Sequence, residues 1–112
     1  MERRTPSSAL FFRVMESIWL VTCEILVEPG DLASGQTKAF ANVTTWADSR
    51  DCVTNKVKRY LEGFKWNLIS FENAHPVEEG REYSEEVWDM IDRTRTNPQA
   101  IILGTFFSYK EE

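Results

Sequence analysis

The stretch Ala100-Ile101-Ile102-Leu103-Gly104-Thr105-Phe106-Phe107-Ser108-Tyr109 decides how this chain must fold, because as a strand it is apolar on both alternating faces. Ile101, Leu103 and Phe107 point one way, with Ile102 and Phe106 opposite. Such a strand needs cover on both sides, and the rest of the chain offers two convincing internal helices. If both lie against one face, the other must be hidden by the N-terminal segment or by a second copy of the protein.

Upstream, Asn97-Pro98 breaks a helix that Ser84 opens. Glu85 and Glu86 sit in its first turn and Arg93 and Arg95 in its last, matching the helix dipole at both ends, while Val87, Trp88 and Ile91 form its apolar stripe. Before it, Pro76 and Gly80 mark a loop of about ten residues carrying His75. Residues 65 to 73 read as extended, with Trp66, Leu68 and Ser70 alternating against Ile69 and Phe71.

The first internal helix begins at Asp48 or Ser49, carries Val53, Val57, Tyr60, Leu61 and Phe64 at helical spacing, and has Gly63 available to stop it. Residues 19 to 28 alternate with period two and end at Pro29-Gly30, and residues 37 to 46 form a second strand close enough to pair antiparallel with the first. The order is therefore strand, strand, helix, strand, helix, strand. Right-handed crossovers would place both helices on one face of a mixed four-stranded sheet, giving an α+β fold built as a two-layer α/β sandwich.

Residues 1 to 17 are an N-terminal segment, expected to be a short amphipathic helix through Leu10, Phe11, Val14 and Ile18, or mobile if Met15 is the natural start. Residues 18 to 112 form a single α/β domain, since 112 residues leave nothing from which to close a second core. With 42% hydrophobic residues and tryptophans at 19, 46, 66 and 88, the composition is that of a packed globule. Arg13 and Glu16 interrupt the apolar run Leu10-Phe11-Phe12 before it makes a signal sequence, and no stretch approaches the ~20 apolar residues of a membrane span. Cys23 and Cys52 lack the close pairing of metal or redox sites and read as free thiols, so a cytoplasmic location is expected.

Residues 78 to 92 carry seven acids (Glu78, Glu79, Glu82, Glu85, Glu86, Asp89 and Asp92) against one base, Arg81. This is either a solvated helix face or a docking surface for a basic partner protein, as an immunity or inhibitor protein would present. Lys56, Lys58, Arg59 and Lys65 lie around the first helix and would pair with some of these acids if the helices were neighbours. His75 is the only histidine, and an enzyme centred on it would use Glu72 or Glu78 as orienter. No serine elbow, cysteine pair or phosphate-cradling glycine loop supplies the other roles, so no catalytic residues, cofactor or metal site are assigned. Adjacent aromatics on opposite faces, the lack of a basic flank before them and an acidic balance argue against nucleic acid as a partner.

The sequence thus favours a non-enzymatic binding or regulatory module. It is expected to be a homodimer through the second sheet face, with Leu20, Leu26, Phe40, Trp46, Ile102 and Phe106 as candidate interface residues and room for a small apolar ligand between subunits.

Overall fold

A computed structural model describes residues 16 to 32 and 37 to 107. The strands are β1 (Ser17–Leu26), β2 (Lys38–Ala47), β3 (Asn67–Pro76) and β4 (Ile101–Leu103), and the helices are α1 (Arg50–Glu62) and α2 (Glu85–Arg95). This is the expected ββαβαβ order and α+β class. Residues 1 to 15, on which most of the expected N-terminal helix falls, lie outside the described residues; Ser17 already pairs with Ala47 in the sheet.

The sheet is antiparallel throughout rather than mixed, in the order β3-β1-β2-β4. β1 is flanked by β2 and β3, and β4 pairs with the outer side of β2. This arrangement makes β2 and β3 parallel to each other across β1, so among the described residues α1 is the only helical connection between parallel strands. β3 and β4 run antiparallel, and the handedness rule for parallel crossovers does not constrain the helix that joins them.

The two helices consequently lie on opposite faces of the sheet, not on one. Val53, Val57 and Leu61 of α1 pack with Val21, Cys23, Ile25, Ala41 and Val43, which project from one face of β1 and β2. Val87 and Ile91 of α2 pack with Ile18 and Leu20 on the other face, joined by Trp46, Val77, Tyr83 and Trp88. The small residues Ala39 and Ala41 of β2 are buried on the α1 side. For Ile101, Ile102 and Leu103 the cover is thus supplied within the chain: Ile101 and Leu103 join the α1 core, while Ile102 pairs with Thr44 on the α2 side.

β4 itself is short. Leu103 stands opposite Val43, but the next bridge joins Phe107, not Phe106, to Phe40. One extra residue is accommodated between these points, and it reverses the parity of the residues beyond it. Phe106 therefore turns to the α1 core, while Phe107 stacks on Phe40 with centroids 5.9 Å apart. β3 has two similar register shifts against β1, which bring Leu68 and Phe71 to the α1 side despite their odd spacing.

The turn that stops α1 comes two residues later than expected. Gly63 keeps a right-handed φ of −62°, and Lys65 instead takes the left-handed turn at φ 65°. The Trp66 N–H donates to the Leu61 carbonyl (3.1 Å) and the Lys65 N–H to Glu62 (2.9 Å), the paired bonds of a Schellman cap. Packing of Trp66 beside Leu61 on the α1 core supplies the hydrophobic contact that accompanies this cap.

Candidate functional site

The expected interface residues do not form one surface. Leu20 is buried beneath α2, and Trp46 packs there too, its Nε1–H donating to the Thr94 carbonyl at 2.8 Å. Ile102 is half-buried on the same face, and Phe106 lies on the opposite one, edge-on to Trp66 at 5.3 Å. Only Leu26, 40% exposed, and Phe40, half-buried against Phe107, lie beyond the reach of α2 on the second face. Phe107, which the sequence assigned to the other face, is 37% exposed beside them.

This outer part of the face has an apolar end and a polar middle. The Thr22 hydroxyl donates to Asn42 Oδ1 (2.7 Å), and Lys38 approaches Glu24 at 3.9 Å, both pairs spanning β1 and β2. Their positions derive from the register, in which Thr22 faces Asn42 and Glu24 faces Phe40.

Four of the seven acids are held by a specific partner. Glu78 pairs with Arg81 (3.7 Å), Asp89 with Arg93 (3.3 Å) and Asp92 with Arg95 (3.0 Å). Glu86 accepts from the hydroxyl and the backbone N–H of Thr105 (2.6 and 2.9 Å), and these bonds hold its carboxyl below the usual range. Glu79, Glu82 and Glu85 are exposed and make no ion pair among the described residues. The bases near α1 do not neutralise this surface, because α1 and α2 lie across the sheet from each other.

His75 belongs to β3, opposite Leu20, and not to a loop. Its Nε2 lies 3.3 Å from the Tyr83 hydroxyl, which also accepts the Glu78 N–H at 3.1 Å. Burial, with a smaller repulsion from Arg81, lowers the imidazole pKa, and Glu78 partly opposes this. The ring is thus hydrogen-bonded to a phenol rather than oriented by the carboxylate of Glu72 or Glu78. Burial pushes the Cys23 thiol up to about 12, leaving it a neutral core group, and both cysteines are free. Among the described residues no group of three or more His, Cys, Asp or Glu could hold a metal ion, and no helix is long and apolar enough to cross a membrane.

A run of rings escaped the sequence reading. Tyr60, Phe64, Trp66 and Phe106 touch in succession at 5.3, 4.7 and 5.3 Å, and the Trp66 Nε1–H donates to Asp31 at 2.6 Å. Phe64 is 47% exposed at the corner where α1 turns towards β3. The adjacency of Phe64 and Trp66 was legible, whereas the arrival of Phe106 depended on the irregularity after β4. No protein-family model, curated protein or solved structure matches the chain.

Proposed function

We propose that this chain is a non-enzymatic binding or regulatory module of the cytoplasm that works as a homodimer through the part of the second sheet face beyond α2. The observation that carries this reading is the apolar end formed by Leu26, Phe40 and Phe107, bordered by the Thr22–Asn42 and Glu24–Lys38 pairs. Apolar side chains beside paired polar ones are what a protein interface can bury, and a two-fold contact would set each patch against its own copy. A small apolar ligand could be held at the same seam. The free thiols suit a reducing compartment.

Light scattering on a sizing column tests the homodimer. The full chain is expected at twice its 13.0 kDa mass, and Leu26→Asp, at an exposed strand end, at the monomer mass with an unchanged circular dichroism spectrum. A monomeric parent chain at high concentration would overturn the proposal.

A second reading has Glu79, Glu82 and Glu85 dock a basic partner protein, favoured by their lack of ion pairs among the described residues. Binding to such a partner would weaken with rising salt, and replacing the three by Gln would remove most of that salt dependence. Salt-independent binding would exclude it.

A further inference from the structure

We propose that the contact between His75 and Tyr83 is an acid-sensitive latch that holds the acidic loop of residues 77 to 84, and the start of α2 behind it, against the sheet. The loop leaves β3 with the Val77 N–H donating to the Ile18 carbonyl (2.8 Å) and returns at Tyr83. Between these points Glu78, Glu79, Gly80, Arg81 and Glu82 are all exposed. Tyr83 is therefore the side chain that brings the far end of the loop back to the sheet. Its ring lies nearly parallel to the imidazole (14°, centroids 6.3 Å apart) and edge-on to Trp88 at 5.2 Å. With Val77 and Trp88 it packs against Ile18, Leu20, Val87 and Ile91, so losing this anchor would loosen the whole α2 side of the core.

The sensitivity to acid comes from the single proton that the Tyr83 hydroxyl has to donate. The Glu78 N–H can only donate, and it points into the Tyr83 hydroxyl oxygen. The hydroxyl's single proton is then available for Nε2 of a neutral imidazole carrying its own proton on Nδ1. When the ring gains a proton at Nε2 it becomes a donor there, and the hydroxyl must turn its proton away and accept from both neighbours.

The charged groups acting on the ring come from the loop: Arg81, which also lies 6.0 Å over the Tyr83 ring, opposes the imidazolium, and Glu78 favours it. From β1 the ring meets Leu20 across the strand pair, and α2 contributes the uncharged Trp88 beside Tyr83. Burial and Arg81 prevail, so the folded-state pKa lies below the ordinary 6.5. A lowered histidine pKa means that the unfolded or unlatched form binds more protons. The latch is accordingly complete above pH 6.5 and weakens as the pH falls from there through the folded-state value.

The test is NMR on the full chain. His75 is expected to titrate below 6.5, and Tyr83→Phe, which removes the donor to the neutral ring, to move it upward. Protection of the Glu78 and Val77 amides from hydrogen exchange, corrected for intrinsic rates, is expected to fall between about pH 7.5 and about pH 5, a window that brackets histidine titration. In His75→Gln that fall should vanish, and in Tyr83→Phe the Glu78 amide should be poorly protected throughout. A His75 pKa at or above 6.5, or an equal loss of protection in His75→Gln, would overturn the latch.

Discussion

Thr44 of β2 and Thr94 of α2 meet hydroxyl to hydroxyl at 2.8 Å, both fully buried. Both hydroxyls reach the Met90 carbonyl, Thr94 at 2.8 Å and Thr44 at 3.4 Å; with the Thr94 proton on that nearer acceptor, Thr44 donates to Thr94. Trp46 reaches the Thr94 carbonyl and Thr45 the Ala100 carbonyl, each at 2.8 Å, which ties the end of α2 and the chain after it to β2. These polar contacts set the position of α2 along a face where apolar packing alone would tolerate sliding.

Replacing Thr94 by Val should therefore cost about 1–3 kcal/mol, because the Thr44 hydroxyl loses its near acceptor in a dry site. Thr44→Val should cost less, since Thr94 still donates to Met90, and the double variant should cost less than the sum of the two. Urea unfolding of the three variants measures this; additive costs would mean that the hydroxyls do not cooperate.

Lys65→Gly should stabilise the protein by about 1 kcal/mol. A side chain at φ 65° carries a backbone cost that glycine avoids, partly offset by glycine's greater freedom when unfolded. Thermal and urea unfolding both report the change, and a destabilised variant would contradict the role of Lys65 as the left-handed cap residue.

Gly104→Ala should destabilise by about 1–3 kcal/mol through overpacking. An added Cβ would lie 3.0 Å from Met90 Sδ and 3.4 Å from the Asn42 carbonyl oxygen, and Met90 is a buried residue of α2 with little room to retreat. In a Met90→Ala background the same substitution should cost less, and equal costs in both backgrounds would remove Met90 as the cause.

Glu86 should contribute to acid sensitivity. Its bonds to Thr105 lower the folded-state pKa, so the stabilisation is present above the unfolded-state value and lost as pH falls through the folded one. Glu86→Gln should flatten the acid limb of stability against pH relative to the parent chain. Parallel pH curves would show that the Thr105 contacts contribute nothing in solution.

Leu61→Ala should cost about 2–5 kcal/mol, as expected for a cavity in the α1 core. Phe64→Ala, at the most exposed member of the ring series, should cost much less. Comparable losses, measured by denaturant unfolding, would mean that the ring series is a structural core rather than a surface feature.

Local pattern was enough for the element order and most of the α1 core. Val53, Val57 and Leu61 repeat at helical spacing, Val21, Cys23 and Ile25 at strand spacing, and Ser49 and Ser84 cap the helices through their hydroxyls. These are signals carried by neighbours in the chain, so period and cap chemistry suffice to read them. Three decisions needed the tertiary structure. α2 could choose its face because it joins antiparallel strands, which no handedness rule governs. Phe106 and Phe107 exchanged sides because one extra residue after Leu103 reverses parity, and periodicity cannot locate an irregularity of one residue. His75 met Tyr83, and Thr44 met Thr94, across chain separations that only the folded sheet closes. Sequence alone thus determined which segments are strands and helices, whereas pairing and packing between distant segments decided which surfaces remain for a partner.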